Sequence, residues 1–358
     1  MTKKKKKVLF WSRIKTNGGK MKPALSILLI VVTIVSLSCQ HTTEPELQPG
    51  RRDYVWTVDT INPGNESLYL GRIWGSSPND VWAVGTSSWS ATTIWHYDGV
   101  KWKTDSIPRK VNPFAIFGLS KNEVWLGNLN NTIWKYNGNT WFQFGEYKIE
   151  STYDNMVINY FDGISKNNIY AVGGFMRNTT YHGKAIIMNF NGISWEFMNI
   201  PETDAAFTVV AIEPKTGILV IGGMVFDPTG FIAKVYCWDG KELKELLSDY
   251  GWSFVIRLGD EICVTNASRI YKYSNKNLTL WKDNNGTGIN GNIICGRSRN
   301  DFFISGINGI YHYNGKEFKI IYEINLTVER GIIFDKDVFF IGIDYLNGKN
   351  YIIHGQLK

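Results

Sequence analysis

One two-part phrase recurs along this chain and constrains its fold more than any other feature. The segment Ile73–Gly85 is followed by Ile94–Trp102, and the same pattern returns as Ile116–Gly127 and Ile133–Trp141. Each copy contains a Val-Trp pair, then a tyrosine, an Asp-Gly or Asn-Gly turn and a further tryptophan. Self-similarity of this length indicates a repeat architecture in which each copy is one supersecondary unit.

The repeats predict an all-β fold with seven units. After residue 52, short β-branched and aromatic runs alternate with Gly, Asn, Asp and Pro, and no sustained helical period occurs. Each unit holds four such runs, and the second run begins at Val81, Val124, Ile169, Ile218, Ile262, Phe302 and Val338. These starts are 36 to 49 residues apart, which is the size of a four-stranded propeller blade. We therefore predict a seven-bladed β-propeller over residues 53–358.

The fourth run of each unit shows how the ring is expected to close. It begins at six positions that follow a third run, namely Trp102, Trp141, Trp195, Leu243, Leu278 and Phe318. The missing seventh copy lies near the N-terminus, where Trp56–Ile61 matches Trp102–Ile107 almost position for position. We predict that residues 55–61 form the outer strand of the last blade, since closure removes unpaired strand edges.

The net charge of the chain resides in its first 38 residues. The whole chain carries a formal charge of +7, but residues 1–38 hold nine Lys or Arg and no acid, which leaves −2 for residues 39–358. The basic excess therefore gives no reason to expect nucleic acid as a partner. The apolar run Ala24–Leu37 behind these lysines is typical of an export signal and is short for a bilayer span.

The end of that apolar run resembles the lipobox of bacterial lipoproteins. Ser38 precedes Cys39, although Ser36 stands where lipoproteins usually have Leu. The resemblance implies that 1–38 is a signal peptide, with either Met1 or Met21 as its start, and that Cys39 is lipidated. The polar segment 39–52 then reads as a flexible tether. Lipidation implies a protein of the bacterial cell envelope, at the outer membrane or the cell surface. An ordinary signal peptide or an uncleaved anchor is the alternative.

The repeats also resemble known propeller families. Ile169–Gly174 and Ile218–Gly223 are hydrophobic strands that end in Gly-Gly, as in kelch-type repeats. Only these two units carry the double glycine. The phrase Asn79–Gly85 is closer to the exported bacterial repeat propellers. That resemblance implies no single activity, although some members carry a glycosyltransferase label.

Residues that recur at one blade position are expected to be structural. Five acids precede the second run, and three histidines share one position in the third run: Asp80, Glu123, Glu261, Asp301 and Asp337, and His96, His312 and His354. We interpret the acids as turn residues and the histidine position as facing solvent or a neighbouring blade. Cys237, Cys263 and Cys295 lie in apolar runs and read as buried side chains, although one disulfide remains possible. The sequence predicts no catalytic residue, metal site or cofactor.

Loop lengths distinguish the two faces of the predicted ring. Because strand direction alternates, the turns from strand one to two and from three to four share one face, which we call the short-turn face. The other connections define the long-loop face, with long segments at Thr86–Thr93, Glu146–Asn159, Phe175–Ala185, Met224–Lys234, Asp249–Trp252 and Ile343–Tyr351. Variable loops on a rigid scaffold often carry binding residues. The candidate ligand-binding residues there are Trp89, Tyr153, Arg177, Tyr181, His182, Phe226, Tyr250, Trp252 and Tyr345.

Two functions fit this organisation. The first is a monomeric, membrane-tethered, non-enzymatic propeller that binds a protein or glycan through the long-loop face. The alternative is a carbohydrate-active enzyme (glycoside hydrolase, lyase or glycosyltransferase) with its site at the mouth of the central channel. Two carboxylates at a hydrolase-like separation at that mouth would favour the enzyme.

Overall fold

The structure is a computed structural model that describes residues 50–61, 64, 67–87, 93–104, 111–148, 155–176, 184–227 and 230–358. In these residues it contains 28 β-strands and no helix, arranged as seven antiparallel four-stranded sheets. The predicted all-β, seven-bladed propeller is confirmed. No helix of the described ranges is long and apolar enough to cross a membrane.

Blades 1 to 6 each use four consecutive strands in sequence order from the inside outward, and blade 7 takes its outer strand from the N-terminus. The inner strands are β2 (Leu68–Ser77), β6 (Pro113–Ser120), β10 (Asn155–Ser165), β14 (Ala206–Ile212), β18 (Ser253–Leu258), β22 (Ile293–Ser298) and β26 (Thr327–Ile333). The second strands are β3 (Asp80–Ser87), β7 (Glu123–Asn128), β11 (Asn168–Met176), β15 (Leu219–Asp227), β19 (Glu261–Asn266), β23 (Asp301–Gly306) and β27 (Asp337–Asp344). Every one begins within one residue of the position predicted from the repeat.

The outer half of each blade follows the same order. The third strands are β4 (Ile94–Tyr97), β8 (Thr132–Tyr136), β12 (Ala185–Phe190), β16 (Gly230–Trp238), β20 (Arg269–Ser274), β24 (Gly309–Tyr313) and β28 (Lys349–Leu357). The outer strands are β5 (Trp102–Thr104), β9 (Trp141–Glu146), β13 (Trp195–Phe197), β17 (Leu243–Tyr250), β21 (Asn277–Asp283), β25 (Phe318–Glu323) and β1 (Tyr54–Ile61). Blades 1 to 6 start at β2, β6, β10, β14, β18 and β22, and blade 7 has the order β1-β28-β27-β26.

The N-terminal strand closes the ring as predicted. β1 pairs antiparallel with β28 from Tyr54 opposite Leu357 to Ile61 opposite Asn350. Asn350 is the second residue of β28 and lies just after the connection from β27, so Ile61 lies at the long-loop face and Tyr54 at the short-turn face. The inner strands contact one another in ring order, and β26 returns to β2. The chain therefore enters the propeller from the short-turn face.

The residues just before β1 are bonded to blade 6. The Gly50 N–H donates to the Asn300 carbonyl at 3.2 Å. The Arg52 guanidinium pairs with Glu317 at 2.8 Å and donates through Nε to His312 Nδ1 at 3.2 Å. Residues 50–52 of the predicted tether thus lie against the propeller, while 39–49 and the leader 1–38 lie outside the described residues.

The core consists of seven hydrophobic clusters, one between each pair of neighbouring blades. Trp141 of blade 2 meets Trp82 of blade 1 edge-on, with ring centroids 5.4 Å apart. Trp195 of blade 3 meets Trp125 of blade 2 in the same way at 5.4 Å. Face-to-face blades bury both sides of each sheet. The recurring strand-four tryptophans therefore serve inter-blade packing, as the repeat predicted.

The turn between strands three and four explains the recurring Asp-Gly and Asn-Gly pairs. The Asp98 carboxylate accepts hydrogen bonds from the backbone N–H groups of Val100 and Lys101. Gly99, the next residue, adopts a φ of 88°, a region that most side chains avoid. Asn137 and Asn191 repeat the same arrangement in the next two blades. These polar residues therefore form turns.

Candidate functional site

The recurring acids and histidines bind each other within single blades. Asp80 pairs with His96 at 2.7 Å, Asp301 with His312 at 2.8 Å and Asp337 with His354 at 2.8 Å. In blade 2, Glu123 pairs with Lys135 at 2.9 Å. Each acid starts a second strand, and its partner lies on the third strand. The interpretation of these acids as turn residues was incomplete, since four of them also anchor the neighbouring strand.

An aromatic ring covers each of these ion pairs. The ring centroid of His96 lies 4.0 Å from that of Trp82, and the His354 centroid lies 3.9 Å from that of Phe339. The Lys135 ammonium lies 4.4 Å from the centroid of Trp125, which is a cation–π contact. The acid and the ring are two residues apart on one strand and so share a face. This repeated arrangement explains the residue pattern without catalysis.

The pair in blade 6 is the most enclosed. The His312 side chain is fully buried, and Nδ1 accepts from Arg52, so its ring proton resides on Nε2 and is donated to Asp301. Burial alone would raise the pKa of Asp301, but hydrogen bonds and charge from His312 and Arg297 outweigh burial and hold that pKa below its ordinary value. Of the two positions expected for this histidine, the solvent-facing one is wrong for His312, which is buried and faces Arg52 in the segment that leads into blade 7.

The three described cysteines are buried free thiols. Burial raises the pKa of Cys263 to about 12 and raises the pKa of Cys295 as well. A thiol in this state is a poor nucleophile and a poor metal ligand. Within the described part of the chain, no group of three or more His, Cys, Asp or Glu could hold a metal ion.

Exposed aromatic side chains concentrate on the long-loop face. Six described aromatic residues are exposed, namely Tyr69, Phe142, Phe231, Tyr250, Trp252 and Tyr345. All except Phe142, on outer strand β9, lie at the ends of strands that meet the long-loop face. Among the described residues, the large exposed side chains near the short-turn face are aliphatic and include Val100, Ile164 and Ile193, while the long-loop face also exposes the aliphatic Ile307 and Leu346. The two faces therefore differ in exposed aromatic rings as well as in loop length.

Blade 4 carries the densest group of these aromatics. The centroids of Phe226 and Phe231 are 5.2 Å apart across the β15–β16 hairpin, and Phe231 lies 5.1 Å from Trp252. Tyr250 is paired across the sheet with Ile232 on the same hairpin and is 67% exposed. We call these four residues, Phe226, Phe231, Tyr250 and Trp252, the blade 4 aromatic cluster. Exposed, pre-positioned rings of this kind are frequent binding anchors.

A second aromatic pair lies where blade 7 meets blade 1. The Tyr345 hydroxyl is 3.0 Å from the Tyr69 hydroxyl and donates to Glu329 at 2.8 Å. Tyr69 also lines a cleft of about 330 Å³ together with Ser67, Leu68, Thr86 and Ser87. Tyr345 was predicted from the sequence, whereas Tyr69 was not, because it lies on an inner strand and not in a loop.

The structure describes four of the nine candidate residues: Phe226, Tyr250 and Trp252 lie together, and Tyr345 lies apart near Tyr69. The other five fall outside the described residues, as does the lipidation candidate Cys39; they are Trp89, Tyr153, Arg177, Tyr181 and His182. Of the other loop aromatics, Phe175 is only 2% exposed and packs on Phe197.

The segment Met224–Lys234, predicted as a long loop, is a β-hairpin. Phe226 pairs with Phe231 and Val225 with Ile232, so only residues 228–229 separate the two strands. Alternating β-branched and aromatic residues on both sides favour strands over loop. This register also places Phe231 in the candidate site. Phe231 was not predicted from the sequence, although a hairpin over these residues would have placed it opposite Phe226.

The inner strands supply only two acids to the central channel. Asp162 accepts from the N–H groups of Gly163 and Ile212 and from Arg257 at 3.1 Å, so it links blades 3, 4 and 5. Glu329 accepts the Tyr345 hydroxyl. Each carboxylate thus has a partner within the described ranges, and neither forms part of a metal cluster.

Comparison with known proteins supports the fold and identifies no family. No family model matches the chain, and no curated protein matches it. The solved structure of YCF48 bound to D1 peptide superposes with a TM-score of 0.60 at 10% identity, covering 87% of this chain and 100% of that one. The crystal structure of BBS1N in complex with ARL6DN, soaked with mercury, gives 0.58 at 13% identity, covering 86% and 98%. At these identities the likeness concerns the fold alone.

Proposed function

We propose that this protein is a non-enzymatic, lipid-anchored propeller of the bacterial cell envelope that binds a protein partner through its long-loop face. The observation that carries the proposal is the concentration of exposed aromatic rings on that face, above all the blade 4 aromatic cluster. A glycan is the second ligand class that such rings suit, because aromatic faces also pack on sugar rings.

The cluster has the properties of a binding anchor. Phe231 packs against both Phe226 and Trp252 at centroid distances near 5 Å, so little side-chain freedom is lost when a partner covers these rings. Trp252 is 49% exposed and directly follows Gly251, whose φ of 97° fixes the turn from blade 4 into blade 5. The ring is therefore presented by a rigid backbone.

Similar folds support a protein as the partner. The two solved propellers described above were determined with a bound peptide and with a bound protein, respectively. Those partners belong to those proteins. For this chain they support the general proposal that a seven-bladed ring of this size serves as a docking platform.

The direction of chain entry suits a lipid tether. β1 is entered from the short-turn face, and residues 50–52 are bonded to turns of blade 6 on that face. A lipid on Cys39 would then hold the short-turn face toward the membrane, and the long-loop face would point away from it. A partner in the surrounding aqueous phase would meet the aromatic rings first.

No observation favours the carbohydrate-active enzyme as a second function. Two carboxylates at a hydrolase-like separation at the channel mouth would favour that alternative. The two inner-strand acids, Asp162 and Glu329, are engaged by Arg257 and Tyr345.

The experiment compares partner capture by the full chain and two sets of variants. Tyr250→Ala and Trp252→Ala remove two rings of the cluster, while Leu280→Ala and Ile193→Ala remove exposed apolar side chains elsewhere. We expect the first pair to abolish a specific protein captured by the wild-type chain and the second pair to retain it. Capture that is lost equally in both pairs, or in neither, would refute the proposal.

A further inference from the structure

The inner strands carry more positive than negative charge. Their sequences contain four arginines, Arg72, Arg257, Arg297 and Arg330, against Asp162 and Glu329, and no lysine or histidine. This leaves a formal charge of +2 around the central channel, although residues 39–358 as a whole carry −2. A ring of low-dielectric walls concentrates the field of such charges.

Two of these arginines have structural acid partners. Arg257 binds Asp162 at 3.1 Å, and Arg297 binds Asp301 at 2.9 Å. Arg72 and Arg330 differ: among the described residues, neither guanidinium lies within ion-pair distance of a carboxylate, whereas the other six described arginines do. Once these two pairs are set aside, the inner strands retain Arg72, Arg330 and Glu329, a net charge of +1 that is positive because of the two arginines.

Both side chains extend into the channel, because each contacts a blade that is not its neighbour. Arg72 of blade 1 donates through Nη2 to the Asn159 carbonyl of blade 3 at 3.4 Å. The Arg330 guanidinium carbon of blade 7 lies 4.5 Å from the Phe254 ring centroid of blade 5. Each arginine lies in or just after a bulge of its inner strand, at Gly71 and after Val328. Bulges of this kind redirect side chains near binding sites.

Both guanidinium groups also have a donor without an acceptor. The Nε atoms of Arg72 and Arg330 are shielded from solvent and have no hydrogen-bond partner among the described residues. A buried charged donor without an acceptor is costly. Burial first, and then the positive charge of Arg330, lower the pKa of Arg72 to about 10, so Arg72 is still charged at neutral pH. Two neighbouring cations with unused donors are matched by an anion with several acceptor oxygens.

We propose that the central channel contains a binding site for an oxyanion, a carboxylate or a phosphate group, between Arg72 and Arg330. Arginine presents its donors in a planar fork that suits both groups. Tyr69 and Tyr345 lie on the long-loop side of Arg72, so the anion enters from that face. The site lies on inner strands and shares no residue with the blade 4 aromatic cluster, so the two proposals are tested independently.

The test is calorimetric titration of the full-length protein in detergent with two probes, inorganic phosphate and N-acetylglycine. We expect at least one probe to bind, and Arg72→Met and Arg330→Met each to weaken that binding roughly tenfold or more. Arg269→Met is the matched control, since Arg269 is exposed and paired with Asp249 and Asp283. Preference for phosphate or for the carboxylate identifies the source of the anion.

Thermal unfolding separates a binding role from a structural one. We expect the bound probe to raise the Tm of the wild-type protein and of Arg269→Met, but not that of Arg72→Met or Arg330→Met. Without a probe, both channel variants are expected to unfold at the wild-type temperature or above it, because each removes an uncompensated charge. A wild-type chain that binds neither probe, or an Arg330→Met variant that binds as tightly as wild type, would overturn the proposal.

Discussion

The paired acids and histidines offer a graded test of how burial sets the strength of one repeated interaction. The chemistry is the same in three blades, but the side-chain exposure of the histidine differs: 0% for His312, 18% for His354 and 32% for His96. Removing the acid leaves a histidine N–H without an acceptor, and water can replace the acceptor only where the ring is exposed. The energetic loss should therefore follow burial.

The perturbation is Asp→Ala at Asp301, Asp337 and Asp80. An unsatisfied buried donor costs about 1–3 kcal/mol, and at Asp301 the Arg297 guanidinium loses its acid partner as well. We expect Asp301→Ala to lower the free energy of unfolding by about 3 kcal/mol, Asp337→Ala by about 2 kcal/mol and Asp80→Ala by about 1 kcal/mol.

Urea unfolding followed by tryptophan fluorescence measures these losses as shifts in the midpoint at constant slope. The decisive result is the order of the three losses in free energy of unfolding, since this order does not depend on their absolute values. Equal losses in the three variants, or the largest loss in Asp80→Ala, would refute the link between burial and the strength of the pair.

Three further outcomes are expected. The pKa values of Asp80 and Asp301 are held below the ordinary value of about 4. The stabilisation that these carboxylates provide is therefore complete above that pH and is lost as the pH falls through the lowered pKa values. The free energy of unfolding of an Asp301→Ala variant should consequently fall less steeply with decreasing pH than that of the wild type. Gly355→Val should lower the free energy of unfolding by about 1–3 kcal/mol, since an added Cβ would lie 2.4 Å from the Trp56 ring, whereas Gly174→Ala should be tolerated; equal losses would contradict this. A thiol reagent should leave Cys263 unmodified in the native protein, because burial raises its pKa to about 12, and should react after unfolding.

The number of blades and the closure of the ring could be predicted from spacing alone. The turn at Asp98-Gly99 and the match of Trp56 to Trp102 can be recognised from the local sequence alone. The structure confirms the turn and the pairing of β1 with β28. The pairing of Asp301 with His312 could not be read in the same way. It depends on the register of two strands, because the acid lies diagonal to the histidine and one residue of slippage would turn it to the other face.

The candidate site was predicted less completely than the fold. Trp252 and Tyr250 are exposed, as expected for loop aromatics, but no sequence pattern distinguishes them from Phe175, which is buried. Phe231 was not predicted as a site residue because residues 224–234, which form a hairpin, were expected to form a loop. The channel arginines were not predicted because their shared position, in the bulge of the inner strands of blades 1 and 7, depends on strand register, and only closure of the ring brings these two blades together.

Site-specific photo-crosslinking on the two faces of the ring tests most directly whether the long-loop face binds a protein partner. A photoreactive amino acid replaces Tyr250 on the long-loop face or Ile193 on the short-turn face, both of which are highly exposed. We expect a discrete protein crosslink from position 250 that Trp252→Ala weakens, and none from position 193. A crosslink to the same protein from position 193 alone would contradict the claim that the long-loop face binds the partner.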